Sequence, residues 1–65
     1  MNLHETVRMT EAMRKYGGRF MRAMVDPLLY ADEVNRQRIL DAFPEIAAGY
    51  GPGSDAYKFV HGEAA

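Results

Sequence analysis

The sequence predicts a small all-α domain: a bundle of three main helices followed by one or two short C-terminal helical turns. Three observations lead there. Apolar residues recur at helical spacing, most clearly at Phe20, Met21, Met24, Val25, Leu28 and Leu29, which share one helix face. Glycine and proline punctuate the chain at intervals suited to short helices, at Gly17-Gly18, Pro44 and Gly51-Pro52-Gly53. No segment alternates apolar and polar residues over the length of a strand, and no hairpin pattern is present.

Asn2 followed by Glu5 has the spacing of a capping box, in which each side chain bonds the other's backbone N–H. A first helix follows from Leu3 to Tyr16, with Leu3, Val7, Met9, Met13 and Tyr16 as its apolar stripe. Arg14 and Lys15 fall in its last turn, where cations suit the helix dipole. Gly17 ends this helix, and a left-handed backbone there closes it at little steric cost. Gly18 lets the chain turn and restart. The second helix carries the strong apolar face and meets Pro27 within it. Proline lacks the N–H that would bond the Ala23 carbonyl. The helix therefore either continues with a kink or splits, with Asp26 capping a new turn. The apolar phase runs unbroken across Pro27, which favours one kinked helix to Tyr30.

Asp32 is the N-cap of a third helix from Glu33 to Ala42, and Glu33 takes a favoured first-turn position. Ile39, Leu40 and Phe43 supply the buried face, with Val34 and Arg36 nearer the edge. Phe43 is expected at the centre of the core. Pro44 disfavours helical geometry at Phe43 and suits the first position of a fourth helix, through Ile46, Ala47 and Tyr50, closed by Gly51. After the glycine–proline cluster, Ser54 can cap one last turn over residues 55–60, anchored by Tyr57, Phe59 and Val60 and stopped by Gly62. So short an element is either docked on the body or mobile. The single domain thus divides into a helical body, residues 1–50, and a Gly/Pro turn with a C-terminal segment, residues 51–65.

At 65 residues there is room for one domain, and 48% hydrophobic with 26% charged residues is a globular balance. A chain this short buries only ~60% of the surface it exposes when unfolded. Cysteine is absent, which removes disulfides and thiolate metal sites. His4 and His61 lie near opposite ends with no ligand pattern between them, so neither a metal nor a cofactor is expected. Self-association as a homodimer is the remaining way to cover apolar surface. Met9, Met13, Met21 and Met24 fall on apolar stripes and read first as core filling. Methionine also adapts to partner shapes. Phe20, Met21, Met24 and Leu28 are therefore the candidate protein interface. No apolar run approaches the ~20 residues of a membrane span, and the N-terminus lacks a signal-peptide pattern. A cytoplasmic address and no membrane partner are expected.

The net charge of −1 hides an asymmetry. Residues 1–25 carry five cations against Glu5 and Glu11, a net of +3; residues 26–65 carry three against seven carboxylates, a net of −4. Arg14, Lys15, Arg19 and Arg22 gather around Gly17-Gly18 and form the candidate patch for an anionic partner. The plainer reading is that the two halves balance each other, since surfaces of mixed sign are the norm. Two helices about a short glycine turn resemble a helix-turn-helix, but the second carries few base-reading side chains. A pI near 6.0 also sits low for a duplex binder.

Catalytic chemistry is not assembled. The only serine, Ser54, lies in a turn where a capping role suffices. Thr6 and Thr10 share a helix with His4, but nothing orients the imidazole as a base. Asp32, Glu33 and Glu45 read as helix-start residues. Gly51-Pro52-Gly53 lacks the lysine and hydroxyl of a phosphate loop.

The pattern Gly17-Gly18-Arg19-Phe20, Ala31-Asp32, Asn35-Arg36 with Arg38-Ile39, then Ala42-Phe43-Pro44-Glu45 and Tyr50 resembles a group of small bacteriophage- and prophage-encoded proteins. The resemblance covers roughly residues 17–50 and carries no functional residues with it. It implies a viral accessory role in a bacterial cytoplasm. The expected function is thus a non-catalytic interaction protein that binds a host or viral protein. The alternatives are an accessory nucleic-acid-binding protein using the basic half, and a structural subunit of a viral assembly.

Overall fold

A computed structural model describes residues 1–60 of the chain. Five α-helices form there, α1 (Leu3–Tyr16), α2 (Arg19–Tyr30), α3 (Glu33–Ala42), α4 (Pro44–Tyr50) and α5 (Asp55–Val60), with no strand among the described residues. Their limits follow local chemistry. The Asn2 Oδ1 accepts from the Glu5 N–H at 2.8 Å, and the Asn2 N–H donates to Glu5 Oε1 at 3.0 Å, so the capping box is complete. The Asp32 carboxylate accepts from the Asn35 N–H at 2.8 Å and starts α3. Ser54 Oγ accepts from the Tyr57 N–H at 3.2 Å and starts α5. Pro44 occupies the first turn of α4, where its missing donor costs nothing. The predicted stop at Gly62 lies outside the described residues.

α2 continues through Pro27 to Tyr30 rather than splitting at Asp26. Its proline is exposed, so the apolar face stays intact on the opposite side. The end of α2 is closed from α3. Arg36 donates from Nε to the Leu28 carbonyl at 2.9 Å and from Nη2 to the Ala31 carbonyl at 2.8 Å. A guanidinium at a helix C-terminus satisfies carbonyls that lack intrahelical donors and meets the negative end of the dipole. Arg36, half-buried at the edge of the α3 face as its phase predicts, is therefore also a staple between two helices.

Gly17 does not adopt the left-handed conformation. Its φ is −82° and ψ 162°, an extended backbone open to any residue. The requirement is space: a Cβ there would lie 2.5 Å from the Met13 carbonyl oxygen and 2.6 Å from Met21 Cβ. Among the described residues, Gly53 is the one at positive φ, at 94°.

The core gathers Met9 and Met13 of α1, Val25 and Leu28 of α2, Leu40 of α3, Ile46 of α4 and Tyr57 of α5. α1 packs most extensively on α2 and α5, so the C-terminal turn is docked on the body. The Arg8 guanidinium lies 4.5 Å over the Tyr57 ring and holds α5 against α1. The Cα radius of gyration is 10.8 Å, close to the ~11 Å expected of one packed domain this long.

Three expectations about burial are corrected. The buried face of α1 is Thr6, Met9, Thr10, Ala12 and Met13, whereas Leu3, Val7 and Tyr16 are exposed. Leu3 and Val7 sit roughly a quarter-turn or more around the helix from Met9 and Met13. The two threonines enter the core because their hydroxyls are satisfied by their own helix: Thr6 Oγ1 donates to the Asn2 carbonyl and Thr10 Oγ1 to that of Val7. Phe43 packs at the margin of the core, half-buried, because it stands at the break between α3 and α4. Phe59 is exposed while Tyr57 is the anchor of α5.

Candidate functional site

The turn between α1 and α2 brings two kinds of exposed side chain to one corner. The close approach of Met13 and Met21 across Gly17 makes the turn tight, so the last turn of α1 and the first of α2 lie side by side. Tyr16 ends α1 and Phe20 lies in the first turn of α2; each remains about half exposed. Phe20 is not loose. Its ring meets that of Phe43 edge to face, with centroids 5.5 Å apart and planes inclined by 60°. The junction of α3 and α4 thus props an aromatic ring that still shows a face to solvent.

The four predicted cations flank the same turn, all exposed. Arg14 approaches Asp26 of α2 at 3.8 Å, a loose surface pair. Arg22 makes a long hydrogen bond of 3.4 Å from Nε to the Gly17 carbonyl and so braces the turn. Lys15 Nζ lies 5.5 Å from the centre of the Tyr16 ring. Arg19, Lys15 and Arg22 have no carboxylate within ion-pair distance among the described residues. Among the described residues, balance between the basic and acidic halves therefore reaches this corner through Arg14 and Asp26.

The candidate apolar interface is brought together only in part. Phe20 is 48% exposed, and Met21 and Met24 are partly buried against the core. Leu28 is 0% exposed and cannot contact a partner; α1 and the later helices already cover it. Sequence reasoning placed it at the surface because it shares the phase of Phe20, and a phase does not say how much of a stripe its neighbours cover. The apolar stripe of α1 predicts Tyr16 as buried, and its exposure at the turn has no signal in the sequence.

The hydroxyls weighed as nucleophiles are structurally engaged. Ser54 Oγ donates to the Gly51 carbonyl at 2.7 Å while capping α5. Thr6 and Thr10 are buried in the α1 face. His4 is exposed, and His61 lies outside the described residues. Among the described residues no helix is long and apolar enough to cross a membrane.

Several residues of the pattern between Gly17 and Pro44 hold the fold together. Gly17 permits the tight turn, Asp32 caps α3, and Arg36 closes α2. Asn35 bonds Asp32 and receives a bond from Arg38. Phe43 and Pro44 prop Phe20 and start α4. Comparison of the chain with protein-family models, with curated proteins and with solved structures finds no match.

Proposed function

We propose that this chain is a non-catalytic interaction protein that contacts a protein partner through the α1–α2 corner. The observation that supports this reading is the coincidence, at one tight turn, of two exposed aromatic rings with cations that no carboxylate among the described residues pairs. Aromatic residues, methionine and arginine are the side chains enriched where proteins meet. Phe20, Tyr16, Met21, Arg14, Arg19 and Arg22 supply that mixture. A phage or prophage accessory role, resting on the resemblance over residues 17–50, fits a small protein whose work is occupancy of another.

A photo-crosslinking residue in place of Phe20 tests the reading, with one in place of Tyr30 as control. Tyr30 is 83% exposed and lies at the opposite end of α2. A discrete adduct formed from position 20 and absent from position 30 is the expected result in extract of the producing cell. Equal or absent labelling at both positions would refute it.

Self-association is a weaker reading of the same surface. A two-fold contact centred on this corner would set Arg19 and Arg22 against their own copies, and like charges facing each other oppose association. Nucleic-acid binding is the second reading, and the same uncompensated cations favour it.

A further inference from the structure

We infer that the α1–α2 corner recognises a short acidic peptide segment carrying an aromatic or aliphatic anchor. This rests on the interaction reading above and names the chemistry of the partner. Three features carry it. The first is charge. Lys15, Arg19 and Arg22 face solvent with no carboxylate within ion-pair distance among the described residues, so an acidic ligand gains attraction there without first breaking such a pair. The second is the ring of Phe20. It is held by Phe43 yet half exposed, so stacking an apolar side chain on it costs little ordering. The third is scale. Two or three exposed cations around one turn match the carboxylates of a peptide of a few residues.

Nucleic acid fits the corner less well. Four phosphate contacts on duplex would lose roughly 150-fold in affinity between about 50 and 200 mM salt, leaving little near physiological salt. The remainder of the chain, residues 26–65, has a net charge of −4 and repels a long polyanion. A peptide with two or three carboxylates presents less charge to that remainder and brings the apolar anchor that Phe20 and Tyr16 can receive.

The test is to pan a random-peptide library against the full immobilised chain, alongside the Phe20→Ala and Arg19→Glu variants. Circular dichroism checks that each variant keeps its helices. Peptides enriched in Asp or Glu around a Leu, Phe or Trp are expected. Their affinity should fall about tenfold or more in each variant, and amide shifts in the labelled chain should cluster over residues 14–22. Enrichment of basic or uncharged peptides, or equal binding to both variants, would overturn the inference. So would oligo-thymidylate binding more tightly than any selected peptide near physiological salt. Corner resonances that move with the chain's own concentration would identify a second copy as the occupant and overturn it too. The crosslinking experiment separates the two levels. A discrete adduct at position 20 with no acidic motif from the library defeats the peptide chemistry alone, whereas failure of both defeats the interaction reading as well.

Discussion

Arg36 offers the sharpest test of how this fold is held. Its guanidinium spans two carbonyls at the end of α2, at 2.9 Å from Nε to Leu28 and 2.8 Å from Nη2 to Ala31. A hydrogen bond to a charged group contributes about 1.5–3 kcal/mol when its partner is otherwise left unmade. Both bonds are only part-buried, so in Arg36→Ala water recovers a share of each. The favourable contact with the helix dipole, about 0.3–1 kcal/mol, is lost as well. The net cost should be about 2–3 kcal/mol. Against a total stability of roughly 3–10 kcal/mol for a chain this long, that is a large fraction. At about 4–8 °C per kcal/mol, the midpoint should fall by roughly 10–20 °C. Thermal and urea melts followed at 222 nm by circular dichroism read both quantities. Arg36→Lys separates geometry from charge: an ammonium keeps the dipole contact but cannot fork across two carbonyls, so it should lie between alanine and wild type. If Arg36→Ala costs less than about 0.5 kcal/mol, the staple does not hold α2 to α3 and the argument fails.

Gly17→Ala should destabilise by about 1–3 kcal/mol, because its Cβ would collide with the Met13 carbonyl and Met21 Cβ; an unchanged urea midpoint would show that the turn relaxes freely. Gly18→Ser should stabilise by about 0.5–1 kcal/mol. Gly18 is an uncapped N-cap at φ −84° with open space around it, and a lowered midpoint would refute that reasoning. A double-mutant cycle of Phe20→Ala and Phe43→Ala should show a coupling of about 0.5–1.5 kcal/mol, and strict additivity would mean that the edge-to-face contact contributes nothing. Thr10→Val should be neutral or slightly stabilising, since the hydroxyl bonds only its own helix; a loss above about 1 kcal/mol in the same melts would give that bond a larger role.

The five helices were legible in the sequence, down to their ends, because the signals that begin and end a helix act within a few residues. Asn2 with Glu5, Asp32, Pro44 and Ser54 each meet their partners within the next turn, so their meaning survives without the rest of the molecule. The unbroken phase across Pro27 likewise carried α2 to Tyr30. The cationic cluster at Gly17-Gly18 was legible too, since neighbours in sequence across a tight turn stay neighbours in space. Burial was a different matter. Thr6 and Thr10 look polar, and only packing reveals that their hydroxyls need nothing beyond their own helix. Leu28 and Phe20 share a stripe, yet one is sealed and the other half open, because exposure depends on where α1 and the α3–α4 junction come to rest. Arg36 stood eight residues from the Leu28 carbonyl it closes, on a different helix, and no local pattern marks such a partner. Periodicity specifies the phase of a helix; which part of that phase stays wet is decided by contacts between helices, and those were left to the tertiary structure.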